Sequence, residues 1–374
     1  MGLGIVLMVT RTTGRYDLAA TACGVYLLCA AVAGPVWGSM CDRRGQQSVL
    51  RTTAIALAAG VVLIVGDIGA VRSDWGLLLG ATVTGSAMPS VGAMVRTRWA
   101  TIHTTPRLVA VAYSLESSLD EILFVVGPAV IGILTTIAWP AGILTVLGTT
   151  LTGMLWLAAQ PGDQPAVANT GSHPLRAITQ PGMPILCAIT FAIGGILGAT
   201  DMIIVARAPT PVLGPLVLAL WAATSSAGAL AYAARSPTVT YQRLVIGTST
   251  ILATTTLLLL PTSFIQTACI LTVGGVAFAP TISILTGLTE RTCPRQSLTE
   301  AFAWLSSGTA SGAALGTITV GHILTTTEGR TPFTLPVLFA GFAATMSVAG
   351  HLSRARNASQ TLTADTALTC QEGH

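Results

Sequence analysis

Eleven stretches of this 374-residue chain are so long and so apolar that they decide its architecture on their own. They run over about 18–40, 52–71, 75–95, 108–137, 140–159, 184–206, 212–234, 243–261, 264–287, 300–324 and 333–352. Crossing the ~30 Å hydrocarbon core of a bilayer takes ~20 apolar residues in helical form. None of the runs alternates with period 2 as a transmembrane strand does, and a backbone in lipid must satisfy its own hydrogen bonds, so each is read as a membrane-spanning helix. The opening GLGIVLMVT is only about half a span, with no basic segment before it and no cleavage site after it. It is read as the outer end of a first helix whose beginning is missing. The expectation is an all-α integral membrane protein with eleven full spans plus a remnant.

Composition narrows the function. Charged residues make up 9% of the chain and hydrophobic ones 52%, with a mean hydropathy of +0.73, where a soluble domain carries about 25% charged residues. Every basic residue is Arg, and the lack of Lys excludes a P-loop and a Schiff-base lysine. HExxH, GxSxG, a Gly-rich phosphate loop and a metal-ligand cluster are all absent from the sequence, so no enzyme, cofactor or metal is expected. The seven Cys form no CxxC pair and mostly sit in apolar runs, as small buried hydrophobes. The net charge of +4 reports loop arginines rather than a nucleic-acid partner. With the loop at 41–51 placed in the cytoplasm, thirteen Arg fall inside and five outside, which fits the positive-inside rule for a multi-pass protein of the cell membrane.

The chain also repeats itself. At a shift of about 189 residues, AYSLESSLDEILFVVGPAVIG from Ala112 overlies AFAWLSSGTASGAALGTITVG from Ala301, which places Tyr113 on Phe302, Gly127 on Gly316 and Gly132 on Gly321. At a shift of about 191, Pro89 meets Pro280. The expected division is a helix bundle over 1–159, a cytoplasmic linker over 160–183, a second bundle over 184–352 and a disordered cytoplasmic tail over 353–374. Duplicated six-helix halves are a transporter signature, with the substrate path between them.

One polar stretch joins the first two full spans. In GPVWGSMCDRRGQQSVL, Asp42 ends a helix at the membrane surface, where it can pair with Arg43 or Arg44 or cap a neighbouring helix. A helix start with capping-box spacing lies at Ser297-Leu298-Thr299-Glu300. Gly34 and Gly38 form a small-residue ridge behind one end, and Gly308, Gly312 and Gly316 form one behind the other. Gly38, Asp42, Arg43 and Gly45 resemble the loop motif between the second and third helices of the major facilitator superfamily, and the helix count, central loop and duplication agree over essentially the whole chain. The resemblance implies two six-helix bundles related by a pseudo-two-fold axis and transport by alternating access. It also implies that the two glycine ridges meet, with Asp42 as an inner latch; the plainer alternative is a topology anchor. Gln46 and Gln47 stand where the family usually carries basic residues.

The fifth span carries Glu116, Asp120 and Glu121, and the first two share a helix face. Asp120 and Glu121 fall about 18–20 Å along the helix, near mid-membrane. An ionised carboxylate there costs at least ~2.5–3.5 kcal/mol, and no Arg or Lys lies in the interior of any span as drawn. These acids are therefore protonated, face a wet cavity or bind a cation; bonding to Ser117 or Ser118 is the structural alternative. Gly127, Pro128 and Gly132 resemble part of the fifth-helix motif of drug:proton antiporters, although Leu123 replaces one of its glycines and Ala81 stands where those proteins have a fourth-helix Arg. Asp201, six residues before Arg207, serves a gate or coupling role or anchors an interface. The expected activity is transport of a small molecule by alternating access, as proton-coupled efflux of an amphipathic or cationic compound. The alternatives are uptake or facilitated diffusion of a neutral metabolite, or a non-transporting, degenerate membrane protein.

Overall fold

The computed structural model describes the backbone of the chain except residues 72, 103–104, 161–176, 210–212, 236–237, 261–262, 327–330 and 372–374. Most of the linker expected over 160–183 thus lies outside the described residues. Among those described there is no strand. The helices are α1 (Gly2–Thr13), α2 (Tyr16–Arg44), α3 (Gln46–Gly66), α4 (Asp74–Ser86), α5 (Val91–Ile102), α6 (Pro106–Ile137) and α7 (Ala141–Ala158) in the first half. The second half holds α8 (Met183–Arg207), α9 (Leu213–Ala234), α10 (Tyr241–Leu257), α11 (Phe264–Gly275), α12 (Phe278–Thr292), α13 (Leu298–Thr326) and α14 (Thr334–Gln371).

Each of the eleven apolar runs is helical, with α4–α5 and α11–α12 each forming one run in two pieces. Eight of these units are long and apolar enough, among the described residues, to cross a membrane; α6, α10 and α13 account for the remaining runs. The last helix, α14, is assigned from Thr334 to Gln371.

Buried apolar side chains gather into two cores that follow the halves of the chain. One is built from residues between Ile5 and Ala158, among them Met8, Leu57, Ile64, Leu77 and Met154. The other runs from Ala177 to Ala343, and it also takes in Ala93, Ala100, Val109 and Tyr113 from the first half. Those four residues belong to α5 and the start of α6, so the cores touch at the end of the molecule where the arginines cluster.

The two interrupted helices are built alike. Proline lacks the N–H that an α-helix needs; Pro89 lies within the first interruption, residues 87–90, and Pro280 in the first turn of α12, just after the second. A neighbouring helix serves the groups that are set free. The Trp37 indole on α2 donates to the Ser86 carbonyl at 2.6 Å. On α9, the Thr224 hydroxyl donates to the Thr272 carbonyl at 2.6 Å and the Ser225 hydroxyl accepts from the Ala279 N–H at 3.0 Å. Pro280 leaves the Val276 carbonyl without its intrahelical donor, and that carbonyl sits so close to Gly228 that any Cβ there would clash.

Candidate functional site

The site grows from the end of α2. The α2–α3 corner turns on Gly45, whose φ of +84° is a conformation that only glycine adopts without strain. Its N–H donates to the Cys41 carbonyl at 2.9 Å, closing the helix. This corner aims the Asp42 carboxylate, 7% exposed, across the seam at the start of α13. Asp42 Oδ1 accepts from the Thr299 N–H at 3.2 Å and Oδ2 from the Glu300 N–H at 2.9 Å. A carboxylate here satisfies two of the backbone donors that every helix leaves open at its N-terminus and sits at the positive end of the helix dipole. Of the two roles open to Asp42, the cap is the one formed: Arg43 and Arg44 are exposed and make no ion pair with it among the described residues.

The expected capping box at Ser297 does not form. The Ser297 hydroxyl donates to the Pro294 carbonyl at 3.2 Å, and Glu300 Oε1 accepts from the Ala177 N–H at 3.0 Å, holding the end of the inter-half segment. With Asp42 serving the α13 terminus from another helix, the local residues are free to bond elsewhere.

Glycine lets the two helices come this close. A Cβ on Gly38 would lie 2.8 Å from Glu300 Cα, and one on Gly34 3.0 Å from Ser307 Oγ. The second ridge corrects the sequence reading. Gly308, Gly312 and Gly316 do not face α2; they face α8, where a Cβ would run into Cys187, Phe191 and Gly195 backbone oxygens. Gly194 and Gly198 of α8 return the contact against the Thr309 and Ala313 carbonyls. At about 100° per residue, positions 308, 312 and 316 lie roughly a quarter-turn or more from the 300, 303 and 307 face that meets α2.

A second contact joins the halves nearby. Tyr113 of α6 is buried against Phe302 of α13, ring centroids 6.0 Å apart and edge to face, and its hydroxyl donates to Glu290 Oε2 on α12 at 3.3 Å. The repeat places Tyr113 and Phe302 at equivalent positions, so this pair lies where the two halves meet their own counterparts.

The acids of the fifth span are not left without a base, as the sequence reading supposed. Helix α5 runs on past Val95 to Ile102 and carries Arg96 back against α6. Arg96 Nε lies 3.1 Å from Glu116 Oε1 and its NH2 group 3.3 Å from Asp120 Oδ2. The Arg96 and Glu116 side chains are 15% and 13% exposed, against 62% for Asp120. Glu116 Oε2 is buried and accepts no hydrogen bond from any described group. The Glu121 and Pro128 side chains lie outside the described ones, while Gly127 and Gly132 border open space. Asp201 is half-buried on α8 and makes no ion pair with Arg207, whose guanidinium lies 5.4 Å above the Phe333 ring. The structure therefore gathers Asp42 and Gly38 at the seam and Glu116 and Asp120 around Arg96, with Asp201 apart from both.

One group was missed. Gln46, at the position where the loop motif departs from the usual pattern, is buried; its Oε1 accepts from Arg98 Nε at 2.8 Å and its Nε2 donates to the Met94 carbonyl at 3.2 Å. Arg98 also donates to the Leu157 carbonyl at 2.8 Å, so the network ties α3, α5 and α7 together behind the latch. Two hydrophilic residues at a membrane surface gave no signal that they would be buried together.

No protein-family model and no curated protein sequence matches the chain. Solved structures do. A bacterial homologue of the iron transporter ferroportin, in its outward-facing state, superposes with a TM-score of 0.70 at 12% identity, over 93% of this chain and 98% of that one. The E. coli fucose:proton symporter gives 0.69 at 11% identity, over 93% and 96%. A structure of that symporter in the outward conformation, described as a major facilitator superfamily transporter, gives 0.65 at 12% identity over 93% and 97%. The fold is that of the major facilitator superfamily. The human organic anion transporter MFSD10 has the same fold, with a TM-score of 0.66 at 12% identity over 92% of this chain and 88% of that one. In major facilitator terms α2 and α13 are the second and eleventh helices, and the interrupted units are the fourth and tenth.

Proposed function

We propose that the chain is a secondary transporter working by alternating access, and that it exports an amphipathic or cationic compound in exchange for protons. The observation that carries the reading is the Asp42 cap: two separately cored halves held at one end by a carboxylate on two backbone N–H groups. Losing a helix-capping side chain costs typically ~1 kcal/mol and up to ~2. A contact of that size can open and close in every cycle. Closure at the arginine-rich end is what an outward-facing state requires, and two of the similar structures are outward-facing. The similarity to a fucose:proton symporter favours coupling to protons over simple facilitated diffusion.

The coupling reading rests on Glu116 and Asp120 sharing one guanidinium. Two carboxylates against one Arg leave a charge to be balanced, and Glu116 Oε2, buried without a described partner, can take a proton. Taking it up would loosen Arg96 from α6, next to the Tyr113 contact between the halves. Substrate-induced proton flux in inverted membrane vesicles tests this, with a panel of lipophilic cations as cargo. The expected result is flux in the native chain that is abolished by Glu116→Gln and reduced by Asp120→Asn at unchanged membrane insertion. Flux of equal size in both variants would remove these acids from the coupling role.

A further inference from the structure

The second half contains a small hollow beside the α11–α12 interruption, lined by Thr200 of α8, Trp221 of α9, Thr255 of α10, Leu271 of α11 and Phe278 of α12. It has room for about one water molecule. Its polar-tipped lining side chains are almost wholly buried where they meet it, Thr200 at 1%, Thr255 at 4% and Trp221 at 6% exposure. Neither the Thr200 hydroxyl nor the Trp221 indole N–H meets a hydrogen-bond partner among the described residues.

The Thr200 hydroxyl stands out against its own kind. Buried threonines in these helices fold back on their own backbone: Thr53, Thr84, Thr97, Thr248 and Thr289 each donate to the carbonyl four residues earlier. Thr255, on the far wall of the hollow, does the same toward Ile251 and keeps its lone pairs free. Thr200 has the same partner within reach of its own helix and does not use it. Trp221 shares its face of α9 with Thr224 and Ser225, which serve the freed backbone groups of the interruption, and its ring stands edge to face on Phe278 at 5.0 Å. That packing fixes the direction of the indole N–H.

We propose that this hollow is a permanent water site. One water accepts from Trp221 Nε1 and is hydrogen-bonded to Thr200 Oγ1, with Thr255 Oγ1 as a further acceptor. The water joins α8, α9 and α10 behind the interrupted tenth helix, so that the bend at Val276–Ala277 is held by side chains on one side and by a bridged water on the other. A water needs two to four polar partners, and these three suffice.

The site is tested on the purified full chain in detergent by a double-mutant cycle on the thermal unfolding midpoint, using Thr200→Val, Trp221→Phe and the pair. A bridging water makes the groups interdependent. Each single change should lower the midpoint, and the pair should lower it by clearly less than the sum. Thr200→Ser, which keeps the hydroxyl, should leave the midpoint near that of the native chain. Strictly additive effects, or a higher midpoint in Thr200→Val, would mean a dry hollow with two unmet groups and would overturn the proposal. A density map fine enough to show waters reads the same point directly. A single peak in the hollow of the native chain, lost in the pair, supports it; an empty hollow or density longer than one atom overturns it.

Discussion

Helix α13 has two glycine-lined or glycine-facing sides, and they do opposite jobs. Toward α8, Gly308, Gly312 and Gly316 lie against the Cys187, Phe191 and Gly195 backbone while Gly194 and Gly198 lie against Thr309 and Ala313, inside one half of the molecule and within one apolar core. Toward α2, Gly34 and Gly38 allow the same closeness, but the binding groups are the Asp42 carboxylate and two N–H donors. The first contact is mostly dispersion over many atoms, with the Thr317 hydroxyl donating to the Gly198 carbonyl at 3.1 Å, so opening it would expose a long and largely apolar face. The second separates into a carboxylate and N–H groups that water can serve. On the proposed alternating-access reading, one side of the helix stays closed and the other parts.

Placing the same bulk on each side should break this comparison most forcefully. Gly312→Leu would drive a side chain into the Phe191 carbonyl, and overpacking of this kind costs ~1–3 kcal/mol or more. The expected outcome is loss of folded protein, seen as aggregation on size-exclusion chromatography after extraction. Gly38→Leu meets Glu300 and Ala303 of the other half. It should remain folded and monodisperse, yet fail to close at the arginine-rich end, which limited proteolysis in the inter-half linker would reveal.

Asp42→Ala comes next in size. Removing the cap should cost about 1–2 kcal/mol of closure, a shift of roughly 5–30-fold in the ratio of closed to open forms. Solvent accessibility of a probe at Thr299, read by labelling rate, should rise by a similar factor. Glu116→Gln, which mimics the protonated acid, should shift that ratio toward the open form by less than Asp42→Ala while removing the response of transport to an imposed pH gradient, measured in vesicles with the gradient collapsed and restored. The smallest effect is expected for Gly34→Ala. The gain of ~1 kcal/mol in helix propensity is offset by crowding Ser307 Oγ, a side-chain atom that can rotate away, so stability and transport should both stay close to native.

Much of this was legible in the residues. The apolar runs pointed to helices because lipid permits no other backbone there, whereas the Asp-Arg-Arg-Gly corner left two roles open for Asp42 and only the resemblance to the family's loop motif pointed to α13. Orientation around a helix axis was not legible. Four-residue spacing puts Gly308, Gly312 and Gly316 on one face without saying which neighbour that face meets. Arg96 was hidden for a related reason. Hydropathy falls after Val95, but a helix does not end where its composition changes, and one more turn carries the guanidinium back to Glu116 and Asp120. Gln46 and Arg98 looked like surface residues because each is polar alone; buried, they satisfy each other.

The central claim is that the halves part at the arginine-rich end and that Asp42 holds them together there. It is tested most directly by electron spin distance measurements between nitroxides on keto amino acids introduced at Arg44 and Gln296, which flank the cap and are both exposed. The native chain should give a narrow short-distance population, and Asp42→Ala should add a distinct longer one without loss of fold. A single unchanged distribution in both proteins would contradict the account and leave Asp42 as a structural cap only.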